Sequence, residues 1–308
     1  MHGAAAVQRM LDALNEVGVS EAYCPLRKAY QYLDEAALDF CRRTRILTSS
    51  VSITTVAGRQ TYPLPPDYIE PYERTMGNRR LFARYETAGG DVSWPVLTSY
   101  EKIRLADRTE AEETPVAFTI RSRSEAPTPR TGSAKVSGAV ANGECTLVLN
   151  SADFAPLLHP RDFVANTTDG SKGVVLDVLS DEDANETYLV TALFGGAVNQ
   201  WAANDAAVLM PAATHELYLW APSLNAGDTF RIDYVAKPEP VFADYRTWRI
   251  PDEHCPAICL KAAALFMDTK KEMAGADYWH KTYELEIREA RKRMGRMALA
   301  QNSYPTRL

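Results

Sequence analysis

Apolar residues recur at steps of three and four in four stretches of the chain and at steps of two in many others, and this change of period organises it. Val7, Met10, Leu11, Leu14 and Val17 share one helical face, which Gly18 stops. Leu26, Tyr30, Leu33, Ala37 and Phe40 line a second helix, closing on the basic turn Arg42-Arg43-Thr44-Arg45 that suits the helix dipole. Towards the other end Ile258, Ala262, Leu265, Phe266 and Met273 mark a third stripe. Ala276, Trp279, Tyr283, Ile287, Ala290, Met294 and Met297 mark a fourth, with Gly275 as the break between the two. So short a connection makes the last two helices, Asp252 to Met297, an antiparallel hairpin. The polar flank of the final helix carries Glu284, Glu286 and Glu289 before Arg288, Arg291, Lys292, Arg293 and Arg296. Its spacing predicts the pairs Glu284/Arg288 and Glu289/Arg293.

Between the helical ends the period is two. Val51, Ile53 and Thr55, then Gly58, then Tyr62 and Leu64 read as a β-hairpin ended at a sheet edge by Pro63, Pro65 and Pro66. A second hairpin is expected at Gly77-Asn78, beside Arg79, Arg80 and Arg84. Thr98-Ser99-Tyr100-Glu101 has capping-box spacing ahead of a short helix. Pro127, Pro129 and Gly132 form a linker into a run of short strands at 146–149, 163–165, 173–178, 188–193 and 207–210, a spacing that suits a small barrel or sandwich. Strands at 217–220 and 229–236 then pair back onto 116–120. The expected architecture is α+β: N-terminal helices and a C-terminal α-helical hairpin packed with a mixed β region, plus an inserted small β-barrel or sandwich module. Residues 1–130 and 211–300 form the body, 131–210 the inserted module and 301–308 an extended C-terminal tail.

Composition narrows the function classes. The chain has 308 residues, a net charge of -6 and a pI near 5.5, which provides no general basic footprint for wrapping duplex DNA. The local clusters Arg42-Arg43-Arg45, Arg79-Arg80 and 288–296 each have a local reason in helix dipole or solubility. Cys24, Cys41, Cys145, Cys255 and Cys259 are odd in number and irregularly spaced, so free thiols in a reducing compartment are expected. No stretch of about eighteen apolar residues is present and no signal-peptide pattern opens the chain, so no membrane role is expected.

Catalytic signatures are lacking: neither G-x-S-x-G, a phosphate-binding loop nor H-E-x-x-H occurs. His254, Cys255 and Cys259 form the one Cys/His cluster and fall short of a zinc site by two ligands at standard spacing, which makes Cys259 a packing residue. His159, His215 and His280 stand alone, and Asp181-Glu182-Asp183 reads as a solvated turn. No catalytic residue, cofactor or metal is expected. One alternative, a carbohydrate-binding or enzymatic module within 131–210, would use Trp201, Tyr188 and Asp153 as a sugar face.

The order of two helices, the segment Thr54-Thr55-Val56-Ala57-Gly58-Arg59-Gln60-Thr61-Tyr62-Pro63-Leu64-Pro65-Pro66-Asp67, a mixed β region, the strand Arg231-Ile232-Asp233-Tyr234-Val235-Ala236-Lys237-Pro238 and a closing helical hairpin resembles the head-to-tail adaptor (connector) proteins of tailed bacteriophages. The likeness covers roughly residues 5–115 and 212–297, with 131–210 as an addition. It implies a non-enzymatic virion protein at the head–tail junction, assembled in the host cytoplasm: a homo-oligomeric ring of about twelve copies below the portal protein, extending the channel for genomic DNA to a downstream tail protein. Another tail component, such as a tube, stopper or baseplate protein, is the alternative within the same class. Under this resemblance Leu26, Tyr30, Leu33, Phe40, Trp279, Tyr283 and Ile287 are core or subunit-contact residues. Gly58, Tyr62, Pro63, Leu64 and Pro65 shape a protruding hairpin. Asn302, Tyr304, Pro305 and Leu308, in the tail, meet the portal, and the 131–210 module faces outward, towards tail fibres.

Overall fold

A computed structural model describes the chain except for residues 15–23, 77–78, 106–113, 123–127, 142, 182, 212–214, 221, 224, 243–245, 271–272 and 303–308. The fold is α+β and divides into two compact units. One comprises Met1–Leu47, Thr128–Ala212 and Lys237–Leu308, the other Thr48–Pro127 and Ala213–Ala236.

The first unit holds a helical layer and a sheet. Helices α1 (Gly3–Ala13), α2 (Leu26–Thr44), α4 (Cys255–Lys270) and α5 (Met273–Asn302) form the layer, with α4 packed against the other three. An α-helix apolar on every side belongs inside a bundle. In α4 the residues Cys255, Ala257, Ile258, Cys259, Ala262, Ala263, Ala264 and Phe266 are all buried, a wider face than the single stripe the spacing predicts. Most are small, so neighbouring helices approach closely, and Met10, Leu11, Leu33, Phe40, Tyr283 and Ile287 fill the space between. Helix α2 stops where Arg45 turns into the left-handed region at φ 59°. The expected break at Gly275 is corrected: that glycine lies within α5, while 271–272, between α4 and α5, lie outside the described residues. With partners on one side of a long helix, one glycine costs only about 1 kcal/mol and does not end it. Gln301 and Asn302, expected in an extended tail, are the last residues of α5; the rest of that expected tail, Tyr304, Pro305 and Leu308 among it, lies outside the described residues.

The sheet of this unit contains β10 (Arg130–Ser133), β11 (Cys145–Leu149), β12 (Phe163–Asn166), β13 (Lys172–Asp181), β14 (Glu186–Phe194) and β15 (Ala206–Met210), in the order β10-β15-β12-β13-β14-β11, all antiparallel. Among the described residues its edge strands meet at the one bridge Ala134–Leu149, where the Lys135 N–H donates to the Val148 carbonyl at 2.8 Å. The sheet therefore curls without closing into a barrel. Trp201, Leu147, Leu149, Val164, Leu189 and Leu209 fill its interior. Gly173 is required where β13 meets β14: a Cβ there would lie 1.7 Å from the Ala192 carbonyl oxygen.

The second unit is a pair of packed sheets. The first runs β1 (Thr48–Thr54), β17 (Thr229–Ala236), β6 (Ala83–Glu86), β7 (Val92–Ser93), with β3 (Tyr68–Pro71) also on β17. The second runs β2 (Thr61–Pro63), β16 (His215–Trp220), β9 (Ala117–Ser122), β8 (Val96–Leu97). Beside them are the hairpin of β4 (Arg74–Met76) and β5 (Arg79–Leu81) and the short helix α3 (Tyr100–Leu105). Phe118 from one sheet meets Phe230 from the other edge-on at 5.3 Å, and Tyr85 joins them.

The expected hairpin over Val51 to Leu64 does not form. The two strands are present, but β1 pairs with β17 and β2 pairs with β16, in different sheets. The intervening turn crosses between sheets, with Gly58 at φ 73° and its N–H donating to the Ser223 carbonyl at 3.0 Å. Tyr62 and Leu64 are buried and the Tyr62 hydroxyl holds the turn through Val56 and Arg59, so only Gly58 and Pro63 of the five expected hairpin residues are exposed. Alternation reports that a segment is a strand; it does not report its partner.

Candidate assembly surfaces

In the helical layer, polar contacts set where α5 lies. The Tyr283 ring is fully buried against Phe40, and its hydroxyl donates to Asp39 Oδ2 at 2.9 Å. Burial, reinforced by the Asp39 charge, pushes that phenol well above its usual range, so it stays a donor. One turn away Arg43 grips Glu284 with both terminal nitrogens, each at 2.6 Å, and Arg291 donates to the Arg43 carbonyl. The Arg43 hydrogen bonds hold the Glu284 carboxyl below its ordinary value. Arg293 reaches Glu253, and Lys292 bonds Glu289. The charges read from sequence as pairs within α5 thus reach to Arg43 of α2 and to Glu253 in the turn just before α4.

Two histidines join α4 to α5. His254, buried beside Phe40, places Nδ1 2.7 Å from Glu286. His280 places Nδ1 3.1 Å from the Lys261 ammonium and Nε2 2.9 Å from Asp268 Oδ2. The five thiols are free and buried, and burial pushes Cys41 and Cys259 up to about 12. Among the described residues no group of three or more His, Cys, Asp or Glu side chains is placed to hold a metal ion.

The residues expected at core or subunit contacts all sit in this layer. Tyr30, Leu33, Phe40, Tyr283 and Ile287 are buried in its core, and Leu26 and Trp279 pack against it partly buried. The outward face of α5 presents Tyr278 and Leu285, 68% and 60% exposed and two turns apart. Beside Leu285 lies a shallow depression of about 400 Å³ edged by Asp277, Lys281 and Arg288. An exposed apolar pair framed by charges is the composition of a contact surface rather than of a reactive site.

The six-stranded sheet is fastened to the helical layer by a residue that sequence reading passed over. Arg161, held at φ 77°, forks onto Asp34 of α2 at 2.7 and 3.0 Å and donates to the Pro238 carbonyl. A non-glycine residue in that conformation is held there by its surroundings. Arg246 adds a bond to the buried Glu144 at 2.6 Å. The pattern Arg-Asp-Phe after a Pro had no period to mark it, and the partner lies 127 residues away. The sugar face proposed from sequence does not exist: Trp201 is completely buried with its indole N–H on Thr191, and the Tyr188 hydroxyl is tied to Glu186. A large apolar ring fills a small core before it waits for a ligand.

In the second unit Val92, Trp94, Val96 and Val116 are exposed around β7 and β8. Within the described residues no helix is long and apolar enough to cross a membrane.

Comparison with curated proteins returns no match. The family model of the SU10 adaptor protein matches residues 4–165, which take in α1, α2, the strands of the second unit up to β9 and the first half of the six-stranded sheet. That match agrees with the bacteriophage structural adaptors that the order of elements resembles. The chain, matched over more than half its length, belongs to the SU10 adaptor protein family.

Proposed function

We propose that the protein is a head-to-tail adaptor that forms a ring of about twelve copies below the portal and continues the DNA channel to the next tail protein. The observation that carries this reading is the family match, taken together with a helical layer clamped by Arg43, Glu284 and Tyr283 to one long helix with apolar residues on its outer face. At 1.5 Å per residue a helix of 30 residues is roughly 45 Å long, enough to present both a flank and an end to neighbours. Geometry is the product of such a protein. A closed ring needs two different flanks on each copy that fit each other. Acidic residues in excess, turned to the lumen, repel passing phosphates and leave the genome free to slide. We assign the portal contact to Asn302, Tyr304, Pro305 and Leu308, and the 131–210 module to the outside of the ring, where it meets fibres or other tail proteins.

The test is a portal pull-down with a chain truncated after Ala300, imaged by negative-stain microscopy beside the full chain. The full chain decorates the portal with a ring, and the truncated chain keeps its thermal transition yet fails to dock. Docking by the truncated chain overturns the assignment of the tail, and a full chain that never forms rings on portal overturns the adaptor reading.

A further inference from the structure

The first sheet of the second unit has an open edge whose hydrogen-bonding direction can be read residue by residue. The Thr55 N–H donates to the Asp228 carbonyl, continuing the β1–β17 register in which Ile53 faces Phe230, Val51 faces Ile232 and Ser49 faces Tyr234. On the other side of β17, Asp233 accepts from the Tyr72 N–H, so its carbonyl points away from β1. In an antiparallel ladder the two backbone groups of a residue point to the same side and alternate along the strand. Ser49, Val51 and Ile53 therefore bond to β17, whereas Thr48, Ser50, Ser52 and Thr54 aim their N–H and C=O groups at the outer edge. Among the described residues no strand pairs with that edge.

Soluble proteins blunt such an edge with a very short strand, charge, proline, a bulge or a cover. None is present in β1: its sequence is Thr-Ser-Ser-Val-Ser-Ile-Thr, its pairing with β17 is regular over seven residues, and Thr48, Ser49, Ser50, Ser52 and Thr54 are exposed. Val51 and Ile53, on the core side, are only half covered, as residues are that await a neighbouring strand. At the opposite end of the same sheet lies β7, a two-residue edge between Asp91 and the exposed Trp94, in which Ser93 and the preceding Asp91 bond to the β6 hairpin arm and Val92 aims its backbone groups outward. Along the path β1-β17-β6-β7 each of the three steps is antiparallel, so β7 runs opposite to β1. Moving a copy sideways without turning it over thus brings its β7 alongside β1 of the next copy in antiparallel sense, a head-to-tail contact of the kind that closes a ring.

We propose that β1 of one copy pairs with the β7 edge of the next, so that one sheet runs from subunit to subunit. This rests on the ring reading and names its contact. The full chain assembled on its portal provides the test. Ser50→Pro removes one outward N–H and leaves the β17 ladder intact; Ser52→Pro does the same and stands in should the first variant lose its thermal transition. The folded variant loses portal-bound rings roughly tenfold or more, as expected for a broken run of ladder bonds. In the unsubstituted protein, hydrogen exchange at Ser50 and Ser52 slows on assembly, while Val51 and Ile53 are slow beforehand. All five native cysteines are buried, so added ones report cleanly. Ser52 and Val92 lie on the outward face, opposite Arg231 and Glu86. Ser52→Cys with Val92→Cys cross-links rings into ladders of subunits. Rings that form with undiminished yield from a folded proline variant, or unchanged exchange at Ser50 and Ser52, overturn the proposal and leave the ring reading standing. Dimers cross-linked by Ser52→Cys alone, meaning two-fold pairing of β1 with β1, also overturn it; absence of rings from the unsubstituted protein overturns both.

Discussion

The two β bodies of this protein handle their edges in opposite ways. In the six-stranded sheet the edge strands β10 and β11 come together at Ala134–Leu149, Trp201 fills the middle, and Arg161 and Arg246 tie the strands to α2 and to the segment before α4. In the second unit the sheets pack face to face through Phe118 and Phe230 but leave β1 and β7 as bare edges. A sheet whose edges turn towards each other has less to offer a second chain than one that leaves a long strand edge with free donors and acceptors. Under the proposed strand pairing, the place where the protein stabilises itself and the place where it meets its neighbour differ, although alternation in the sequence looks alike in both.

The largest expected effect tests the self-sufficient body. Trp201→Ala empties the centre of the six-stranded sheet and lowers unfolding stability by about 3–5 kcal/mol, measured as a shift in denaturant midpoint. A loss under about 1 kcal/mol would put the stability of that sheet elsewhere and end the contrast. Next comes the tie: Asp34→Ala leaves the partly buried Arg161 without its carboxylate and costs about 2–3 kcal/mol. The expected unfolding is a single transition of sheet and helical layer together, checked by near-ultraviolet circular dichroism against far-ultraviolet; two separated transitions would show that Arg161 does not join them.

The smallest effect is at the surface of the helical layer. Glu284→Gln weakens the clamp on Arg43 by no more than about 1 kcal/mol, because the Glu284 side chain is 44% exposed and water screens the pair. Its pH dependence has a definite sign. The folded carboxyl lies below its ordinary value of 4.5, so the pair stabilises the protein above that pH and loses the contribution as pH falls through the depressed value. Melting curves between pH 3 and 6, roughly the carboxylate range, should converge for the two proteins at the acid end; curves that diverge there would mean that the carboxyl is not held by Arg43.

Much of the fold is legible in the chain because periodicity reports burial. The stripes of Tyr30, Leu33 and Phe40 and of Tyr283, Ile287 and Ala290 are core, and the strand runs between 146 and 210 are strands. What escapes is partnership. Val51 and Tyr62 alternate around Gly58 as a hairpin does, yet their strands join different sheets, since nothing local distinguishes a turn that returns from one that crosses over. Glu284 sits four residues before Arg288 and finds Arg43 instead, a bidentate match that only the packed helices bring within reach. Arg161 has no spacing to betray it. The exposed pair Tyr278 and Leu285 could have been found by asking which apolar residues of the last helix fall off its stripe.

Small side chains on α4 decide how near its neighbours come, but alanine makes a poor detent: slid along by one turn, such a surface meets much the same surface again. Position along the axis is therefore delegated to the histidines, His254 on Glu286 at one end and His280 on Asp268 at the other. A substitution that leaves every apolar residue in place can still let the last helix slip, and whatever that helix carries at its end would slip with it.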